Sequence, residues 1–446
     1  MNTPICDFVV QYAESKSLRL HMPGHKGVNF LGCESLDITE IEGADSLYEA
    51  SGIIKESEEN ASRLFGCSTF YSTEGSSLCI RAMLYLATLY AKEHNLSTKV
   101  IAGRNAHKSF ISAVALLDLE VDWIIDDANA SYLSCNISAE KLDVLLSTYK
   151  EQKPMAVYIT SPDYLGNIAD IGSISAVCRK HGVLLLADNA HGAYLKFLPD
   201  SQHPIDLGAD MCCDSAHKTL PVLTSGAYLH LNDSTKGLPF SQVKNALSLF
   251  GSTSPSYLTL QSLDYANKYI AEEYTQALPS FIPHIKNIKK ELVSHGYKLL
   301  GNEELKITLC TKDYGYTGED FAHILAKSNI ICEFADPDFV VLMLSAQNGT
   351  ENLNKLKDIL LAVPCLEPIS QTPPELHLQK KAMSAREAMF SPCEIIPLCD
   401  CEGRILASPS VGCPPAVCVV VSGEVIDKKT IGILTYYSKD FCTVVK

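Results

Sequence analysis

The feature that most limits how this chain can fold is a succession of short apolar runs, at residues 155–160, 183–187, 210–213 and 226–231, each bounded by turn residues. Runs of this length are strands, and strands apolar on both faces are buried on both faces, the habit of parallel sheets covered by helices. One such cover is visible at residues 171–181, which carry helical apolar spacing and are closed by Gly182 before the next strand. Upstream, residues 54–65 and 77–94 read as amphipathic helices and 99–102 as a short strand. Helix and strand in alternation predict an α/β domain built on a sheet of six or seven strands.

Past Leu238 the pattern changes. Residues 258–276 and 282–293 carry helical spacing, 305–311 and 340–345 read as strands, and 353–361 as a helix, which predicts a smaller α+β domain. Pro368, Pro373 and Pro374 mark a linker at 367–375, and the tail beyond it holds Pro-rich turns and an apolar strand at 417–421. The expected division is an arm over 1–30, a large domain over 31–237, linking helices with a small α+β domain over 238–366, and a carboxyl-terminal domain over 367–446.

A chain of 446 residues, 46% hydrophobic and 20% charged, has ample material for such a core. Its formal charge of −15 argues against a nucleic-acid partner, whose phosphates favour a basic face, and leaves cationic small molecules open. The first 27 residues are polar and mixed, and no apolar run approaches the roughly 18 residues of a membrane span, so a cytoplasmic protein without membrane contact is expected. The 17 cysteines are scattered and read as reduced, buried thiols. The densest group, Cys399, Cys401, Cys413 and Cys418, fits no common zinc spacing, and no metal is expected.

Chemistry concentrates at two strand ends. The most apolar run, Val183-Leu-Leu-Leu-Ala-Asp188, ends in a carboxylate, and thirty residues on, Ser215-Ala-His217-Lys218 follows the run at 210–213. Ligands of open α/β sheets bind at the carboxyl ends of strands. An amine and a carboxylate placed there suit pyridoxal phosphate, which needs a lysine to form a Schiff base and a buried carboxylate to keep its ring nitrogen protonated. Lys218 fills the first role and Asp188 the second; taken alone, Asp188 reads equally as a strand-end cap. Thr73-Glu-Gly75-Ser76-Ser77 precedes the long helix and offers amides, hydroxyls and a positive dipole end to a phosphate, where a plain serine cap is the simpler alternative. Ser215 is a further candidate donor. His107 follows the strand at 99–102 and is a candidate to stack on the ring, and His191, in Asp188-Asn-Ala-His191-Gly192, to contact it or orient Asp188.

These residues resemble a known family, the pyridoxal-phosphate-dependent ornithine/lysine/arginine decarboxylases of fold type I in their short bacterial form. Leu20-His-Met-Pro-Gly-His-Lys-Gly27 looks like its amino-terminal signature and Ile38-Thr-Glu-Ile-Glu-Gly-Ala-Asp-Ser-Leu47 like its acidic segment. Ser161-Pro-Asp-Tyr-Leu-Gly166, Asp188-Asn-Ala-His-Gly192, Ser215-Ala-His-Lys-Thr-Leu-Pro221 and Ser252-Thr-Ser-Pro-Ser-Tyr257 continue the likeness. It extends into the tail at Arg386-Glu-Ala-Met-Phe390, Cys413-Pro-Pro-Ala-Val417 and Ser422-Gly-Glu-Val-Ile426. The resemblance implies a large domain with a mostly parallel seven-stranded sheet and smaller α+β carboxyl-terminal domains. It implies Lys218 as the Schiff-base lysine, Asp188 as the partner of the ring nitrogen, His107 as the stacking imidazole, and Ser76, Ser77 and Ser215 as phosphate ligands. It also implies a homodimer, or a multiple of it, in which Thr253 reaches the phosphate of the other subunit's cofactor. The chain departs from the family at Asn189, where many members carry Glu, at Tyr194, where many carry His, and at Cys418, where proline is common. It also leaves no room before His21 for the wing domain of the large members.

The reaction so implied is decarboxylation of a basic amino acid, within polyamine biosynthesis, with Lys218 or His217 returning the proton to Cα. Glu42, Asp45 and Glu424 are the candidate carboxylates for a cationic side chain, and arginine, lysine and ornithine stay open. Aminotransferases and other carbon–carbon lyases use the same lysine and aspartate, and a non-catalytic relative is a further alternative.

Overall fold

The computed structural model describes residues 1–125, 131–409 and 415–446. Helices α1 (Pro4–Glu14) and α2 (Ile53–Phe65) precede strand β1 (Ser68–Ser72). Helix α3 (Gly75–His94) leads into β2 (Lys99–Gly103), α4 (Lys108–Leu117) into β3 (Glu120–Ile124), α5 (Ala139–Ser147) into β4 (Ala156–Thr160) and α6 (Ile171–His181) into β5 (Leu184–Asp188). Strand β6 (Met211–Asp214), the single turn α7 (Ala216–Thr219) and β7 (Ala227–Leu231) follow. These seven strands form one mostly parallel sheet in the order β1-β7-β6-β5-β4-β2-β3. The four apolar runs of the sequence are β4 to β7, and the segment closed by Gly182, whose φ of +69° suits glycine, is α6. Two strands were not legible: β1 reads Ser-Thr-Phe-Tyr-Ser and β3 Glu-Val-Asp-Trp-Ile, half-polar sequences that lack the continuous apolar run of a central strand.

The chain divides into two compact units, residues 1–97 with 171–278 and residues 98–170 with 279–446. In the first, β5 and β6 run parallel, and β7 is antiparallel to both β6 and β1. This register sets Thr69, His230 and Cys212 in one cross-strand row and Tyr71, Tyr228 and Asp214 in the next, on one face of the sheet. The face is buried, so its polar groups must find partners within the core. Helices α8 (Val243–Phe250) and α9 (Tyr257–Tyr269) complete this unit. Asp264 of α9 accepts the Ile5 and Cys6 amides at 2.9 and 3.0 Å, so the positive end of α1 is held on a buried carboxylate.

In the second unit β2 pairs in parallel with β3 and β4. Helix α10 (Thr275–His295) takes up the chain after a π-helical turn at Ile270–Tyr274, where the sequence had suggested one unbroken helix. A four-stranded antiparallel sheet in the order β10-β11-β9-β8 follows, made of β8 (Leu299–Leu300), β9 (Lys306–Cys310), β10 (Phe334–Ala335) and β11 (Phe339–Met343). The tail forms a three-stranded antiparallel sheet, β12-β14-β13, from β12 (Cys393–Pro397), β13 (Leu406–Ser408) and β14 (Phe441–Val445). The strand expected at 417–421 is not one. Val417 makes a single bridge, to His107, and the buried valines after it pack as irregular chain around Leu406, Ile426 and Val444. Cys413 lies outside the described residues, while Cys399 is exposed and Cys401 and Cys418 are buried thiols. No helix among the described residues is long and apolar enough to cross a membrane.

Candidate active site

Strands β5 and β6 of the first unit end side by side, with Ala187 opposite Cys212 and Asp188 opposite Cys213. The sequence brings an acid to the end of β5 by running five buried residues straight into it, and Asp188 itself is only 2% exposed. Its Oδ1 accepts the Cys213 thiol at 3.7 Å and the Ala190 amide at 3.3 Å. Burial and the neighbouring carboxylates push the Cys213 thiol well up, so it stays a donor to Asp188. Such an anion at the mouth of a strand suits a cationic ring nitrogen.

One turn past β6, Lys218 places Nζ 2.9 Å from Nε2 of His191, which follows β5. Amine, imidazole and carboxylate therefore come from two neighbouring strand ends. Gly192 lets the loop after β5 close, because a Cβ there would fall 2.0 Å from Oδ1 of Asn189. His217 faces the other way, its Nδ1 donating to the Gly226 carbonyl at 3.0 Å.

Helix α3 begins at Gly75, whose φ of +71° turns the chain sharply out of β1, and its cap residue Glu74 makes no side-chain capping bond. Ser76 and Ser77 occupy the first turn, and Ser215 donates to Ser76 at 2.9 Å, joining this helix start to the end of β6. A helix start lined by hydroxyls, whose cap residue makes no side-chain bond to it, suits a phosphate dianion. Thr253 is exposed in the loop between α8 and α9, whose Ser252 amide is held by the carboxylate of Glu74. The donor set of this unit thus fits pyridoxal phosphate: an amine, a buried acid and a hydroxyl-lined helix start.

In the second unit, His107 caps α4. Its Nδ1 accepts from the Ser109 amide at 3.1 Å and lies 2.9 Å from the Ser109 hydroxyl, so that nitrogen carries no proton and the ring is neutral.

The three carboxylates expected to meet a cationic substrate differ in setting. Glu42 is exposed. Asp45 accepts amides from Ser46, Ser51, Gly52 and Ile54 at 2.8–3.0 Å, and so organises the start of α2. Although partial burial alone would raise it, those amides hold its carboxyl below the usual range. Glu424 is 4% exposed and takes the Arg104 guanidinium at 2.9 and 2.5 Å and the Val421 amide at 2.9 Å. Arg104 also binds Gln379 at 2.8 Å and lies over the Trp123 ring at 5.0 Å. Both oxygens of Glu424 thus engage an internal cation, Arg104. Sequence reading also passed over Asp214, His203 and His230, which meet in the core beneath the end of β6; the only trace was a histidine inside an otherwise apolar strand.

Comparison with known proteins agrees with this geometry. Residues 3–308 match the model of the Orn/Lys/Arg decarboxylase major domain, and 369–441 that of its carboxyl-terminal domain. The chain is 30% identical to the Bacillus subtilis protein YaaO, described as uncharacterized, over 97% of this chain and 93% of that one. It is 28% identical to arginine decarboxylase of Bacillus subtilis, with the same coverage. Among solved structures, the lysine decarboxylase LdcF of Francisella novicida superimposes with a TM-score of 0.79 at 16% identity, over 100% of this chain and 81% of that one. That likeness extends the shared fold, type I of the pyridoxal-phosphate enzymes, to the whole chain. Through two domain matches and a near full-length relative, the chain belongs to the Orn/Lys/Arg decarboxylase family of pyridoxal-phosphate-dependent amino-acid decarboxylases.

Proposed function

We propose that this chain binds pyridoxal phosphate at Lys218 and decarboxylates a basic amino acid, with arginine the first substrate to test. The observation that carries the reading is the convergence of Lys218, His191 and Asp188 at two neighbouring strand ends, beside a helix start lined by Ser76, Ser77 and Ser215. Arginine is favoured by the named function of the full-length relatives; ornithine and lysine follow. When bound, the cofactor supplies the electron sink that lets Cα give up its carboxylate.

The protein's own groups do the rest. Lys218 anchors the cofactor through Nζ, and Asp188 holds the proton on the ring nitrogen by charge pairing. Gly75 opens the turn, and Ser76, Ser77, Ser215 and the amides of α3 hold the phosphate. The neutral ring of His107 suits the stacking role implied by the family likeness. Carbon dioxide leaves with its bonding electrons remaining behind, and one proton must then be delivered to Cα. Lys218 is the better donor, because His191 stands 2.9 Å away to return its proton, whereas Nδ1 of His217 is tied to the Gly226 carbonyl.

A homodimer in the cytoplasm, feeding polyamine synthesis, completes the proposal. The homodimer is supported by a run of exposed apolar side chains, Leu18, Leu20, Met22, Val28, Phe30 and Leu31, which a second copy of the chain could cover.

The test is a decarboxylation assay on arginine, lysine and ornithine with added pyridoxal phosphate, alongside Lys218→Ala. Carbon dioxide and a matching amine are expected, together with a visible absorbance that the variant lacks. An oxo acid with pyridoxamine phosphate would make the chain an aminotransferase, and full turnover by the variant would end the assignment of Lys218.

A further inference from the structure

Beneath the end of β6 lies a cluster that no step of the proposed reaction uses. Asp214 is fully buried, and each of its oxygens is doubly engaged. Oδ2 takes Nε2 of His203 and Nε2 of His230, both at 3.1 Å. Oδ1 takes Nδ2 of Asn189 at 2.6 Å and the Cys212 thiol at 3.6 Å. A carboxylate has about four lone-pair sites, and here four donors fill them. Both imidazoles are fully buried as well, packed against Phe65 with ring centroids at 5.6 and 4.5 Å.

The Thr69 hydroxyl lies 3.2 Å from the Cys67 carbonyl and 2.9 Å from Nδ1 of His230, so His230 is held at both ring nitrogens, by Thr69 and by Asp214. Burial alone would raise Asp214, but the two imidazoles hold it well below the carboxylate range; burial lowers His230, and Asp214 more than offsets that. A buried ion pair of this kind is seldom retained for stability alone, since well-packed apolar side chains often serve as well.

What the cluster touches gives it a purpose. Asp214 is followed by Ser215, whose hydroxyl bonds Ser76 at the start of α3. Asn189, the only donor to Asp214 from the loop after β5, follows Asp188. The Asn189 amide in turn bonds the Cys213 carbonyl at 3.0 Å, so both its backbone and its side chain are fixed to β6. One anion therefore joins the residue assigned to the ring nitrogen and the residue assigned to the phosphate. We infer that Asp214, bound by His203 and His230, is a positioning residue of the cofactor site, setting Asp188 through Asn189 and the phosphate hydroxyls through Ser215. The inference rests on the cofactor reading proposed above.

The experiment measures pyridoxal phosphate affinity by equilibrium dialysis, and the pH midpoint of the bound cofactor's visible band, for the full-length wild type, Asp214→Asn and Asn189→Ala. Asn189→Ala keeps the ion cluster intact and cuts only its link to the β5 loop, so it guards against a variant that merely fails to fold. Both variants should bind the cofactor roughly tenfold more weakly, the scale of one hydrogen bond to a charged group, and should move the pH midpoint. Asn189→Ala should do so while remaining folded, with a cooperative unfolding transition and the circular dichroism of the wild type. Wild-type affinity and midpoint in Asn189→Ala, even with an unstable Asp214→Asn, would overturn the inference and leave the cluster a part of the core. The three residues also present ligand atoms within 4.8 Å of one another. Metal analysis belongs in the same experiment, and a stoichiometric divalent ion that Asp214→Asn loses would overturn the inference in favour of a metal centre. A wild type that binds no pyridoxal phosphate would overturn this inference and the proposed function together, whereas unchanged variants beside a cofactor-binding wild type overturn the inference alone.

Discussion

Arg104 and Glu424, 320 positions apart in the sequence, meet in a two-pronged ion pair whose side chains are 8% and 5% exposed. A pair so buried costs much desolvation, and its loss on one side leaves a lone charge in the core. Glu424→Ala should therefore destabilise the protein by about 3–5 kcal/mol in denaturant unfolding. Arg104→Met combined with Glu424→Leu should recover most of that loss. A stable Glu424→Ala whose only defect is a raised KM for substrate would place Glu424 in the substrate pocket.

His191 stands at hydrogen-bond distance from the amine of Lys218 and is buried. As the partner that returns a proton to that amine, its replacement by asparagine should lower kcat by roughly 10²–10⁴-fold. Visible absorbance of the bound cofactor should survive, because the lysine is intact. Stopped-flow turnover with absorbance recorded on the same sample separates the two, and an unchanged kcat removes His191 from the proton path.

Asp264 is pushed up to about 6 by burial, against which Ser57, Cys6 and Ile5 donate hydrogen bonds. Its folded value lies above the unfolded one near 3.9, so the folded state binds the extra proton between these limits. Stability from this group is fully present below about pH 4 and is lost as pH rises through about 6, by an amount on the order of 3 kcal/mol. Asp264→Asn should flatten that part of the stability–pH curve in urea unfolding. An unchanged slope would mean that the folded carboxyl titrates normally.

The exposed apolar run near the amino terminus includes Leu20 and Phe30, 82% and 77% exposed. If a second copy covers it, Leu20→Lys with Phe30→Glu should shift sedimentation from dimer to monomer and lower specific activity with it. A double variant that sediments as wild type places the contact elsewhere.

Much of this site could be read before any fold was known, because its chemistry sits at strand ends. The buried run ending at Asp188 and the motif ending at Lys218 announce themselves by an abrupt change from apolar to functional residues. The partners of Asp45 and Glu424 could not be read that way. As isolated letters both are acids in motif-bearing segments, and only the fold brings the α2 amides to the one and Arg104 to the other. Asp214 was hidden for a related reason, since Cys-Cys-Asp-Ser reads as a strand running out of apolar residues. Its two histidines lie at 203, in a loop, and at 230, inside a strand otherwise read as core. β1 lacks an apolar run because Ser68 and Thr69 precede its two aromatics and Ser72 follows them, a sequence that makes sense once Thr69 is seen to serve His230.

The ion pair between Arg104 and Glu424 also bears on how freely the tail could be exchanged in evolution. A proline-marked linker and a three-stranded sheet of its own make residues 369–441 look like a cassette that could be lost or swapped. Yet a chain ending at the linker would keep Arg104 at the end of β2 without Glu424, Gln379 or the Val419 carbonyl, all of which it now binds. Loss of the tail with Arg104 retained would leave a cation without its anion, so the two parts are coupled through the stability of one ion pair.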